Sequence, residues 1–177
     1  MKLDEINEEE AKIASSFFTK SISRIAFASG VISAALIVLT LSMTGYSVFQ
    51  RYVLGTPLTW TDELSGFLVV AIVMLGAAEA LRKHDHIAVD LLITKVKGKS
   101  RKYLDIFGYI ATAIVAGVLC FSAWGAVTFS WKIGVYSDGY LEAPLWIPQS
   151  FMLFGAGLLC LLALGRAFDI LINKRQK

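Results

Sequence analysis

The stretch LSGFLVVAIVMLGAAEAL, Leu64 to Leu81, decides the fold: eighteen positions carry a single charged residue, Glu79. At about 1.5 Å per residue, a helix of that length reaches across the roughly 30 Å hydrocarbon core of a bilayer. An unpaired backbone N–H or C=O has no water to bond in hydrocarbon, so a lone crossing segment must satisfy its own polar groups, which a helix does. Three further blocks, Ile25 to Phe49, Ile106 to Trp131 and Leu145 to Gly165, contain no charged residue at all. The pattern predicts an all-α integral membrane protein, a single membrane domain over 1–177 with transmembrane helices at 25–49, 64–81, 106–131 and 145–165.

Composition agrees, because 56% hydrophobic and 18% charged residues with a mean hydropathy of +0.63 exclude a water-soluble domain of 177 residues. Orientation follows from the basic residues: of the 17 lysines and arginines, all but Arg51 and Lys132 fall before the first block, between the second and third, or after the fourth. That bias places both termini and the middle loop in the cytoplasm. The net charge of +3 then reflects topology and implies no nucleic-acid partner. Trp60, Trp131 and Trp146, with Tyr46, Tyr52, Tyr136 and Tyr140, gather at the opposite ends of the blocks, where such rings suit the headgroup layer.

Residues 1–24 carry both acids and bases and do not read as a secretory signal, and the partly helical spacing of Ile13, Phe17 and Ile22 predicts a cytoplasmic or interfacial lead-in helix there. Between the second and third spans, Val89, Leu92, Ile93 and Val96 fall on one helical face, with Asp90, Thr94 and Lys97 opposite. This predicts a short amphipathic helix at about 87–97, lying flat against membrane lipids. In the first outer connection, Gly55 and Pro57 are expected to break the helix, and Thr61 or Asp62 to cap the next. Gly30 with Ala34, Gly76 with Ala80, and Ala113 with Gly117 are small-residue pairs that permit close helix contact.

Chemistry has few footholds. RKHDHIAVD, Arg82 to Asp90, holds two histidines and two aspartates, but on a helix His84 and His86 diverge by roughly 200° and cannot readily share a metal. Lying at the predicted water boundary, the stretch reads as a helix exit. Glu79, the single acid inside a span, sits three residues before Arg82, so the two can pair near the helix end. As the alternative, Glu79 would be the coupling carboxylate of an autonomous small carrier or channel. Cys120 and Cys160 lie apart in mid-block and read as packing residues. No CxxC pair, haem-type histidine pair or phosphate loop is present, so no cofactor, no metal and no enzymatic activity are expected, and a redox-enzyme anchor is disfavoured.

One long stretch, FQRYVLGTPLTWTDELSGFLVVAIVMLGAAEALRKHDHIAVDLL, Phe49 to Leu92, resembles the small DctQ-type membrane subunit of tripartite ATP-independent periplasmic (TRAP) transporters. Aromatic-Arg-Tyr, Pro-x-x-Trp, an acidic pair, Gly-Ala-Ala and His-Ile-x-Val-Asp occur in the family's order, and APLWIP at Ala143 to Pro148 extends the likeness more weakly. By it, Arg51, Tyr52, Pro57, Trp60, Glu63, Gly76, His86 and Asp90 occupy motif positions, while His84 departs from a common glycine. The resemblance implies a non-catalytic scaffold subunit in a bacterial inner membrane. It would brace a large, M-type membrane subunit that moves an organic anion with sodium, C4-dicarboxylates and sialic acid being among the family's substrates. A periplasmic solute-binding protein would deliver that anion, and Asp62, Lys132, Asp138 and Glu142, with Arg51 and Glu63, are candidate contacts for it.

Overall fold

The computed structural model describes residues 2–83 and 99–172, with side chains described over 20–83 and 104–170. Among the described residues there are four α-helices: α1 (Lys2–Phe49), α2 (Trp60–Lys83), α3 (Lys99–Ile133) and α4 (Trp146–Ile172). Each contains a span long and apolar enough to cross a membrane, over Lys20–Leu54, Trp60–Lys83, Leu104–Ile133 and Trp146–Ile170. The protein is therefore an all-α membrane protein. The predicted amphipathic helix at 87–97 lies outside the described residues, as do His84, His86 and Asp90.

The helices run past the apolar blocks. Residues 2–49 form one unbroken helix, because no proline or glycine precedes Gly30 to end it. At its far end α1 widens into a π-helical turn, Gln50–Leu54, which closes at Gly55 with φ +68° and the Gly55 N–H donated to the Gln50 carbonyl. That left-handed position tolerates glycine without a Cβ clash. Gly55→Ala is expected to cost about 1 kcal/mol, with Gly55→Asn losing less. Thermal unfolding of the detergent-solubilised chain checks this, and equal melting of Gly55→Ala and the parent would contradict it. Helix α2 starts at Trp60, so Thr61 and Asp62 lie inside its first turn and do not cap it. The Thr61 hydroxyl instead donates to the Leu58 carbonyl at 2.7 Å, leaving its oxygen to accept from Ser47 of α1 at 2.8 Å.

Helix α4 is central: it packs on α1, α2 and α3, whereas α3 leans chiefly on α4. Its sequence explains how. Gly155 and Gly157 are two residues apart and so face nearly opposite ways. A Cβ on Gly155 would lie 2.5 Å from the Met74 carbonyl oxygen of α2, and one on Gly157 would lie 3.8 Å from Cys120 Sγ of α3. The second contact is reciprocated, since Gly117 of α3 stands over Cys160 of α4, whose thiol is 3.5 Å from the Ala113 carbonyl oxygen. Both cysteines are free and half-buried, as packing residues would be.

Helices α1 and α2 meet through small and hydroxylated residues. Ser29 donates to the Leu75 carbonyl at 3.1 Å and Ser33 to that of Ile72 at 2.8 Å. Gly30 faces Glu79, and Gly76 faces Ser33. Their expected partners Ala34 and Ala80 are exposed, so the seam on α1 follows Ala26, Ser29, Gly30 and Ser33, the three- and four-residue spacing of one helical stripe. Ile22, Ala26, Ala78, Leu158 and Leu162 close a buried cluster where α1, α2 and α4 converge.

Candidate functional site

Polar groups concentrate at the two ends of the bundle. At the basic end, Glu79 of α2 is buried against Gly30 and grips Arg82 through two bonds, Nε to Oε2 at 2.5 Å and a second guanidinium nitrogen to Oε1 at 2.7 Å. Lys83 Nζ approaches the same carboxylate at 3.4 Å, and the Arg82 guanidinium lies 5.4 Å from the centre of the Phe27 ring. A carboxylate held between two cations within a turn of the helix end acts as a local tie. Among the described residues no cluster of three or more His, Cys, Asp or Glu side chains has the geometry to hold a metal ion.

The other end, where the tryptophans lie, is more elaborate. Helix α3 stops at Gly134, φ +68°, whose N–H and that of Val135 both return to the Ser130 carbonyl, at 3.0 and 3.1 Å. The chain then doubles back. Ser137 N–H donates to the Ala143 carbonyl at 2.9 Å and Leu145 N–H to that of Val135 at 3.0 Å, around an isolated bridge between Tyr136 and Pro144. Trp131 and Trp146 close the base of this connection edge to face, with ring centroids 4.9 Å apart.

Glu63, in the first turn of α2, reaches into that connection. Its Oε1 accepts a short hydrogen bond from the Ser137 hydroxyl, and its Oε2 accepts the Leu141 N–H at 3.0 Å. The Ser137 oxygen in turn accepts the Ala143 N–H at 3.2 Å. Gly139 lies so close that a Cβ there would overlap the carboxylate. Negative charge at a helix N-terminus is also favoured by the exposed N–H groups of the first turn. Glu142, next to the clasp, holds φ +42°, a value uncommon outside glycine.

The other candidates from the sequence fall around this clasp. Arg51 and Asp62 meet at 3.6 Å, but with their side chains half or more exposed the pair contributes at most about 1 kcal/mol. Tyr52, Pro57, Trp60 and Lys132 are exposed. Asp138 and Glu142 border an open recess of about 490 Å³ together with Tyr136, Ser137 and Gly139. Gly76 lies elsewhere, in the α1–α2 seam. Sequence reasoning missed Ser137, Gly139 and the Leu141 amide, since no spacing rule links residues more than seventy positions from Glu63. The one signal the sequence offers there is the dipeptide Asp138-Gly139, a pairing that favours a turn.

Two relatives share part of the chain. It is 28% identical over 114 residues to the C4-dicarboxylate TRAP transporter small permease protein DctQ of Rhodobacter capsulatus, covering 64% of this chain and 50% of that protein. It is also 28% identical over 113 residues to the sialic acid TRAP transporter permease protein SiaT of Haemophilus influenzae, covering 60% of this chain and 18% of that one. The chain thus spans half the length of the first relative and under a fifth of the second. Residues 40–173, from the second half of α1 to the end of α4, match the family described as tripartite ATP-independent periplasmic transporters, DctQ component. The clasped connection, the central α4 and the Glu79 tie all fall inside that match, and the chain belongs to the DctQ family of TRAP transporter subunits.

Proposed function

We propose that this chain is the non-catalytic small subunit of a sodium-coupled TRAP transporter for an organic anion, a C4-dicarboxylate or sialic acid being the classes named for its relatives. It braces a large membrane subunit that carries the solute, and its tryptophan end faces the periplasm and helps dock the solute-binding protein. Both termini then lie in the cytoplasm, in accord with the basic residues. The observation that carries this reading is the family match over residues 40–173. The physical arrangement supports it: the helices pack through small residues, and the Glu79 carboxylate is held by Arg82 and Lys83, so solute transfer is assigned to the partner.

A tagged chain extracted in mild detergent is expected to co-purify with a much larger, many-helix membrane protein. Reconstituted uptake is expected to require both, plus a secreted binding protein. Saturable, gradient-driven accumulation by this chain alone would overturn the scaffold reading.

A further inference from the structure

We propose that Glu63 is a positioning residue for the receptor-facing surface: it does not meet the binding protein but fixes residues 135–145 in the shape that does. The inference rests on the docking reading above and deepens it.

Both carboxylate oxygens of Glu63 are occupied from within the chain, by the Ser137 hydroxyl and the Leu141 N–H. Those donors bracket Asp138, Gly139 and Tyr140, the tip of the connection. Tyr140 is 80% exposed and Asp138 and Glu142 are exposed, so the groups free to meet a partner sit on a segment whose conformation the carboxylate dictates. Two backbone hydrogen bonds, which together make the Tyr136–Pro144 bridge, tie the two limbs of the connection to each other, and the tip adds one long bond from the Glu142 N–H to the Gly139 carbonyl at 3.3 Å, too little to define its shape unaided. The clasp is anchored on α2, which packs on α1 and α4, so the loop inherits the rigidity of the bundle. A pre-ordered loop avoids the entropy of ordering when a partner docks, which is where such a residue acts on affinity. Gly139 fits the same account, because a side chain there would displace the carboxylate.

Two measurements test this. In the first, the full chain in lipid nanodiscs is followed by amide hydrogen exchange. Glu63→Ala is expected to speed exchange over residues 135–145 by about tenfold, the worth of hydrogen bonds to a charged acceptor, with Ser137→Ala smaller and in the same direction. In the second, uptake by the assembled transporter is titrated with the binding protein. Glu63→Ala is expected to raise the half-saturating receptor concentration about three- to tenfold while leaving the maximal rate in place, a split that general unfolding does not produce. Unchanged exchange in both variants overturns the inference. So does a loosened loop with unchanged half-saturation, if Tyr140→Ser still raises it. If Tyr140→Ser and Asp138→Ala also leave half-saturation unchanged, the docking reading itself fails. Should Glu63→Ala not assemble, Ser137→Ala carries both measurements.

Discussion

Gly155→Ala is expected to lower the thermal stability of the isolated subunit sharply, while Gly66→Ala leaves it equal or slightly raised. The two changes add the same methyl group to a transmembrane helix. At position 155 that methyl meets the main chain of Met74, 2.5 Å from the carbonyl oxygen and 2.7 Å from the carbonyl carbon, whereas at position 66 nothing lies within 4 Å. Side-chain ends can rotate away from an intruder, but a helix backbone cannot. The α2–α4 contact must therefore open, and α4 is the helix on which the other three lean. Overpacking of this kind costs about 1–3 kcal/mol, against about 1 kcal/mol of helix propensity gained by alanine over glycine. The first outweighs the second at 155, and only the second operates at 66. Measured against a total stability of roughly 5–15 kcal/mol, the loss is large enough to reduce the yield of folded subunit as well as its melting temperature. Indistinguishable melting curves for the two variants would mean that the helices do not approach as closely as described.

The difference between Gly155 and the glycines singled out by pattern shows what the sequence could convey. Four uncharged blocks of bilayer length are a one-dimensional signal, and the helices follow them, extended by polar and aromatic ends that hydrocarbon does not need to accept. Helix contacts are not one-dimensional. Gly30 and Gly76 do lie in a seam, but Ala34 and Ala80, four residues on, point away from it. The seam's other members are serines, whose hydroxyls bond carbonyls of the facing helix. Gly155 has Phe151 and Leu159 four residues either side, so no small-residue pattern flags it. At the tryptophan end the acidic pair Asp62-Glu63 was legible as chemistry but not as geometry. One carboxylate turns outward toward Arg51 and the other inward to a loop that follows a whole intervening helix. Separating the two required the path of the chain in space.

Glu79 offers the second large effect, and the one that separates a brace from a carrier. Glu79→Ala is expected to destabilise the subunit by about 1–3 kcal/mol, below the full cost of breaking a buried pair because Arg82 can extend toward water. The guanidinium would lose both of its short bonds and leave the Phe27 ring to reach water, and Lys83 would lose its partner too. Replacing both members of the pair, Glu79→Leu with Arg82→Leu, removes the stranded charge, and leucine is close in length to the Glu79 stem that packs against Gly30. The double variant is therefore expected to recover most of the stability lost in Glu79→Ala, since apolar replacement of a buried pair is often neutral or better. Function then divides the two readings. In a scaffold the carboxylate contributes only through the fold, so a transporter containing the stable double variant should retain uptake at near the parental rate. In an autonomous carrier the same carboxylate would bind and release the coupling ion, and no apolar residue can replace it in that role. A folded, partner-bound double variant that transports nothing would reinstate Glu79 as a coupling group. Retained uptake would leave it as a tie within the last turn of α2, whose two short bonds to a neighbour three residues away hold the Arg82 guanidinium over Phe27 of α1.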